Sequence, residues 1–458
     1  MQASVASGRL GRSARRLDTM LLAAIVIVFY LVYAVSPVTT STDSGWTFHL
    51  AASILQRHSI NLDPYRSLMD LRADYRLRQI DGHIYSYYPI LPPLLVAPAV
   101  WIINALYPLR YPTDFYTYLA THAPDDRTAR LEKLLASGLG ALAAALIYLI
   151  ARRELGVVKS LVVSAIFAFS TSMWSTATRA LWQHGFSAVF LAGALYLVLL
   201  AREKPYLYLW IGIILGFSYL IRPTNSLAVA FTGLYILINY RRQVWTYAIG
   251  VAIVLLPFIA LNWATYRNIF PPYSYQLFGR TAPLLQFLVG LAGTTVSPSR
   301  GLFVYSAFFL FSIYGAYLRL KGRFNLANFD TYLVAILITH WIIISLFEDW
   351  GGGWSIGPRY FVDVLPLLTY FLIPVFHERV LAAPGLRYTF VVAVVLSTLI
   401  QLHCATSMDP FIWNRKPVAL VDAPQRKWDW GDLQFLRGFC PGNPLEGRAP
   451  ACWLSPND

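Results

Sequence analysis

Asp43 stands just past the end of an apolar run. Met20 to Val38 carries no charged side chain, and the chain then passes through Thr39, Thr40, Ser41 and Thr42 to Asp43, Ser44, Gly45 and Trp46. An ionised carboxylate at a water–lipid boundary is costly unless it has a partner or a task. Near a helix end it can take a proton from a hydroxyl. Arg179, Arg222, Arg300 and Arg359 lie at the ends of other apolar runs. A guanidinium stays charged at any relevant pH and recognises phosphate through paired hydrogen bonds. Beside these arginines stand Gln183 and His184, Tyr273, the acids Glu348 and Asp349, Trp354 and Tyr360. Tyr and Trp suit the faces of sugar rings or the boundary between lipid tail and headgroup. The run Gly351-Gly352-Gly353 permits close approach of backbone to a ligand. Together these types describe a site for an anionic lipid headgroup and a hydroxyl acceptor. On this reading Asp43 would act as the base, and Arg179, Arg222, Arg300 and Arg359 would hold the phosphate. Gln183, His184, Tyr273, Glu348, Asp349, Trp354 and Tyr360 contact the substrate.

Each residue also has a plainer reading. An Asp at such a position caps a following helix. Single arginines at span ends extend their heads to the interface, and abundant Trp and Tyr form an aromatic belt. His184 fits helix packing as readily as a site. Glu348 and Asp349 could hold a divalent metal, but two adjacent acids on a loop are a weak signature, so no cofactor is firmly implied. The chain has no GxxxxGK[ST] phosphate loop and no HExxH, and so lacks those signatures of ATP and zinc-hydrolase chemistry.

The elements that must position these residues are membrane spans. The chain has 458 residues, 57% of them hydrophobic and 13% charged, where a soluble domain is nearer one quarter charged. Apolar runs lie near 20–38, 134–151, 160–175, 185–201, 206–221, 225–239, 244–262, 302–318, 329–347, 361–376 and 388–403. They predict an all-α polytopic bundle of about 11 to 13 spans. The net charge of +14 fits cytoplasmic loops and anionic lipid, with no nucleic-acid partner. Arg152, Arg153 and Lys159, Arg202 and Lys204, Arg241 and Arg242, Arg319, Lys321 and Arg323, and Arg379 and Arg387 fall in alternate short loops. The positive-inside rule places these in the cytoplasm with the N-terminus, so the loops bearing the candidate site face outward. Arg9, Arg12, Arg15 and Arg16 before the first run suggest an uncleaved first span rather than a signal peptide.

Pro89 to Tyr107 is also apolar but contains four prolines, and a full crossing there would invert every later loop. It reads as an interfacial or re-entrant segment, as does Pro283 to Val296. The domain reading is a membrane domain over 1–403, with a first outer loop at 39–132 that carries juxtamembrane helices, and an outer tail at 404–458. Trp428 and Trp430 serve there as interfacial anchors. Cys440 and Cys452 are equally consistent with a disulfide or with free thiols.

The order and sidedness of these parts resemble the GT-C superfamily of integral-membrane glycosyltransferases. The nearest likeness is to its bacterial branch of protein O-mannosyltransferases and aminoarabinose transferases. The likeness covers most of the chain. It rests on the acid after the first span and on local strings: Tyr88-Pro89 with Pro92-Pro93, Arg152-Arg153-Glu154-Leu155-Gly156, Ser297-Pro298-Ser299-Arg300-Gly301-Leu302-Phe303, Gly357-Pro358-Arg359-Tyr360-Phe361 with Leu365-Pro366, and the tail Lys427-Trp428-Asp429-Trp430 with Phe435-Leu436-Arg437. The resemblance implies a sugar donor on a polyprenyl phosphate and an inverting transfer to an acceptor hydroxyl of a glycan, lipid or protein. It maps the family base onto Asp43. It also implies a multi-pass protein of the bacterial cytoplasmic membrane with an extracytoplasmic site. The chain departs from the family in two places. Ser44 follows Asp43 where many members carry a second acid, and Thr176 to Gly185 has no acid and offers Gln183 and His184 instead. The competing function is a transporter or flippase of lipid-linked saccharides, which the almost wholly apolar span interiors disfavour. A non-catalytic membrane scaffold is a third reading.

Overall fold

The computed structural model describes residues 12–40, 42–201, 203–274, 283–377 and 380–439, with side chains from Asp18 onward. Arg9, Arg202, Arg379, Cys440 and Cys452 lie outside the described residues, as do the side chains of Arg12, Arg15 and Arg16. The apolar runs fold as helices: α1 Arg12–Val35, α5 Asp126–Arg152, α6 Val157–Phe169, α7 Gln183–Ala201, α8 Leu207–Ile221, α9 Ser226–Asn239 and α10 Gln243–Tyr266. Helices follow at Leu284–Val296, Phe309–Leu320, Phe329–Ser345 and Pro384–Thr406, and a helical stretch runs from Arg359 to His377. Seven helical stretches among the described residues are long and apolar enough to cross a membrane. The chain is a multi-pass membrane protein.

α5 packs between α1, α6 and α7, and α8 lies between α7 and α10. The α8–α10 crossing depends on two glycines. A Cβ on Gly212 would stand 2.2 Å from the Tyr247 carbonyl, and one on Gly250 would stand 2.2 Å from that of Leu209. Helices in lipid associate through such close small-residue contacts because lipid tails remove the hydrophobic drive between them.

The segment between α1 and α5 contains α2 Thr47–Arg57, α3 Leu91–Leu106 and α4 Phe115–Thr121. It also holds one two-stranded antiparallel sheet, β1 Leu77–Ile80 and β2 His83–Ser86. The all-α reading missed this hairpin. Its turn, Asp81-Gly82, has both residues at positive φ, 50° and 83°, the geometry that favours Asp-Gly in two-residue hairpins. Pro89 to Tyr107, read above as interfacial or re-entrant because of its prolines, folds as one helix over Leu91–Leu106. Pro92 and Pro93 sit in the first turn of α3, where a missing N–H costs nothing. Only Pro98 is internal, and the stretch Leu91–Leu109 ranks among the seven. α5 then begins at a capping box, in which Asp125 accepts from the Thr128 N–H and the Thr128 hydroxyl accepts from the Asp125 N–H.

Residues of the basic loops meet at one end of the bundle. Arg152 pairs with Asp18 at 3.0 Å, Arg319 with Glu154 at 2.6 Å, and Lys159 donates to the Phe376 carbonyl at 2.8 Å. The loops bearing Asp43, His184, Arg222 and Arg359 meet one another elsewhere, around a cavity.

Candidate active site

Four short segments deliver the polar groups. Asp43 lies in the turn between α1 and α2. Gln183 and His184 form the first turn of α7, so their side chains stand at its N-terminus. Arg222 follows the last residue of α8 in extended backbone, before a 3₁₀ turn at Pro223–Asn225. Asn225 fixes that corner by donating to the Ser187 hydroxyl and the Ser218 carbonyl at 2.8 and 3.0 Å. Arg359 opens the 3₁₀ turn Arg359–Val364.

The glycine-rich loop before Arg359 needs its glycines. Gly352, Gly353 and Gly357 have φ of 74°, 61° and 59°, and a Cβ on Gly357 would come within 2.7 Å of the Tyr305 ring. Arg300 pins the loop. Its Nε donates to the Gly351 carbonyl at 2.7 Å and its Nη2 to the Gly353 carbonyl at 3.2 Å. Its remaining donors reach Ser299 O, Gln434 Oε1 and Asn414 Oδ1 at 2.8, 2.7 and 2.6 Å. Five contacts match the five N–H groups of a guanidinium. The tail completes the clamp, as Gln434 and Asn414 both donate to the Ser355 carbonyl, at 2.9 and 3.0 Å.

A cavity of about 150 Å³ opens among these segments. Asp43, Gln183, His184, Arg222, Tyr273, Arg359 and Tyr360 line it, together with Arg76, Tyr88 and Trp182. Three guanidinium groups and one carboxylate therefore face one space, an arrangement suited to an anion. Each guanidinium has its own carboxylate. Arg359 Nη1 stands 3.0 Å from Asp43 Oδ2, and Arg222 Nε stands 2.7 Å from Asp363 Oδ2. Arg76 grips Asp74 with two nitrogens, each at 2.7 Å. Arg359 also lies over the Trp182 ring, 4.9 Å from its centroid, a cation–π contact.

Asp43 is held from both sides. The Tyr75 hydroxyl donates to Oδ1 at 2.8 Å while Arg359 donates to Oδ2. Burial pushes its carboxyl pKa up, but the Arg359 charge and the Tyr75 and Tyr88 hydroxyls outweigh burial and hold it below the usual carboxylate range. Ser44, next in sequence, donates to the buried Glu132 carboxylate, which also accepts from the Leu181 N–H at 3.4 Å. Glu132 thus ties the Asp43 turn to the segment leading into His184.

Five expected site residues stand outside the cavity. Arg179 donates to the Tyr33 and Ser36 carbonyls at the C-terminal end of α1, at 3.0 and 3.4 Å, where a cation suits the helix dipole. Arg300 is committed to the loop and tail described above. Trp354 is 40% exposed and stacks under Arg415. Glu348 and Asp349 are exposed, and Asp349 lies 3.4 Å from Lys427. No group of three His, Cys, Asp or Glu with metal-holding geometry occurs among the described residues. The sequence reading does not assign Asp363, Arg76, Trp182 or Glu132 to the site. Asp363 had a signal, an acid inside the apolar run 361–376.

Residues 119–263 match the model of a family described as dolichyl-phosphate-mannose-protein mannosyltransferase. No curated protein matches the chain in sequence. Among solved structures, the Archaeoglobus fulgidus oligosaccharyltransferase AglB, in complex with an inhibitory peptide and a dolichol-phosphate, is similar with a TM-score of 0.51 at 12% identity. That match covers 95% of this chain and 62% of the other. The apo form of the A. fulgidus oligosaccharyltransferase gives 0.50 at 11% identity, covering 94% and 61%. ArnT from Cupriavidus metallidurans bound to undecaprenyl phosphate gives 0.43 at 15% identity, covering 84% and 71%. This chain thus spans about three fifths of the length of the oligosaccharyltransferases it resembles.

Proposed function

We propose, starting from a multi-pass membrane chain of GT-C fold with a segment that matches the mannosyltransferase family, that this protein is a glycosyltransferase. It moves a sugar from a polyprenyl-phosphate donor to an acceptor hydroxyl at the outer face of a bacterial cytoplasmic membrane. The observation that carries the reading is the Asp43–Arg359 pair, 3.0 Å apart, on the wall of a cavity with three guanidinium groups and one carboxylate. A proton acceptor and an anion holder then stand side by side, as displacement of a phosphate by a hydroxyl requires.

In the proposed reaction the donor phosphate takes Arg359 away from Asp43 and so frees Oδ2. Asp43 removes the proton of the acceptor hydroxyl, and that oxygen bonds to the anomeric carbon. The bond from that carbon to the phosphate oxygen breaks, and the phosphate monoester leaves with the electron pair, its charge held by Arg359. The configuration inverts. Fixed charges aimed at the departing phosphate supply much of the rate in a site of this kind.

The test is transfer from a labelled polyprenyl-phosphate sugar by the purified full-length protein. Asp43→Asn is expected to lower kcat by about 10²-fold or more. Near-normal turnover by a folded Asn variant removes Asp43 as base. Movement of labelled lipid across the membrane with no glycosidic bond formed would favour the transporter reading.

A further inference from the structure

The far wall of the cavity carries a hydrogen-bonding pattern of a different kind. Arg222 Nη1 lies 3.3 Å from Gln183 Oε1 and 3.4 Å from His184 Nε2. A guanidinium can only donate, so both neighbours accept there. His184 must then carry its proton on Nδ1, which stands 3.0 Å from Asp363 Oδ1. The other oxygen of Asp363 stands 2.7 Å from Arg222 Nε. Asp363 is fully buried and does not line the cavity, whereas Gln183, His184 and Arg222 all do. One carboxylate therefore fixes the tautomer of His184 and anchors the inner edge of Arg222.

The result is a row in the order acceptor, donor, acceptor. Its two internal hydrogen bonds are long compared with the ordinary ~2.9 Å, so a ligand group can replace them at little cost. A pair of neighbouring sugar hydroxyls fits such a row, since each hydroxyl can accept from the central guanidinium and donate to a flanking acceptor. A phosphate fits it poorly, because it would face Gln183 Oε1 and the His184 Nε2 lone pair as well as the guanidinium, with Asp363 already offsetting the charge of Arg222.

We propose that Gln183, Arg222 and His184 form the subsite that reads two adjacent hydroxyls of the transferred sugar, with Asp363 as its positioning residue. The proposal rests on the glycosyltransferase reading. It moves Arg222 from the phosphate to the sugar and leaves Arg359 as the phosphate cation.

The experiment measures binding to the full-length protein in lipid nanodiscs. The probes are undecaprenyl phosphate, undecaprenyl-phosphate mannose, glucose and galactose, and the 2-deoxy and 4-deoxy forms of the sugar that binds best. At least one sugar-bearing lipid is expected to bind more tightly than the plain phosphate. Asp363→Asn should weaken that lipid by about ten-fold or more and change plain undecaprenyl phosphate by less than about two-fold. Gln183→Ala, which removes no charge, should show the same selective loss and carries the test if Asp363→Asn does not fold. One deoxy donor should bind wild type about as weakly as the parent donor binds the variants, and should lose nothing further on mutation. Equal loss for both kinds of lipid, or no loss for either, overturns the subsite. Sugar-bearing lipids that bind wild type no better than the plain phosphate overturn it too, while leaving the donor reading intact. If undecaprenyl phosphate and its sugar forms all fail to bind wild type, the donor reading falls and the subsite falls with it.

Discussion

Arg359 does two things to Asp43, and they pull in opposite directions. Its charge keeps the carboxylate ionised, and by doing so it weakens the same carboxylate as a base. Burial alone would raise the Asp43 pKa, and Arg359 with the Tyr75 and Tyr88 hydroxyls reverses that. The acid limb of kcat/KM for the free enzyme should therefore lie below the ordinary aspartate value of about 3.9. Arg359→Gln removes the lowering charge and leaves burial in place, so the acid limb should move to higher pH while overall activity falls. A residual pH profile unmoved by the substitution would show that Arg359 does not set the ionisation of the base. Asp43 and Arg359 stand out in the sequence by residue type and by their place at the ends of apolar runs. Arg179 and Arg300 match Arg359 in type and in place at the end of an apolar run, yet one sits at a helix terminus and the other inside a clamp. Contacts with residues 51 to 146 positions away separate them from Arg359.

Among the elements, the loop from Glu348 to Arg359 depends on others for its shape. Positive φ at three glycines leaves it little intrinsic order, and Arg300, Asn414 and Gln434 supply what is missing. Lysine at position 300 would keep the charge but offers three donors from one nitrogen in place of a five-donor fork. Arg300→Lys should leave buried oxygens unmet at a cost of roughly 2–4 kcal/mol. The thermal midpoint should fall, protease cleavage within 348–358 should rise, and donor KM should rise because Arg359 is no longer held. A variant with wild-type melting and KM would remove Arg300 from this role. The hairpin shows why short elements escaped the sequence reading. Its strands are four residues each, too short for alternation to register, and its one local signal is the Asp81-Gly82 pair. Long apolar runs did register, because their period and length are properties of the local chain.

At the scale of the whole molecule, the bundle brings distant parts of the chain to one cavity. Most of the apolar helices were readable from hydropathy, since the membrane sets their length and composition. The convergence of Asp363 on His184 and Arg222 was not, because it joins α7, α8 and the Arg359–Val364 turn through packing alone. A chain stopped after Thr406 retains every long apolar helix but lacks Asn414 and Gln434. It should insert in the membrane, resist extraction by alkali, and show at least about a ten-fold loss of donor affinity. Normal affinity in such a chain would separate the tail from the site.

Asp43 and its partner Arg359 are 316 positions apart. Chains emerge from the ribosome at about 5–20 residues per second, so the acid waits some tens of seconds before the arginine exists, and longer for the clamp at Asn414 and Gln434. During that interval a nascent chain carries Asp43 without the guanidinium that pairs with it. On the proposed mechanism activity is then a late event in biogenesis, and a chain interrupted before Arg359 lacks the pair that the reaction needs.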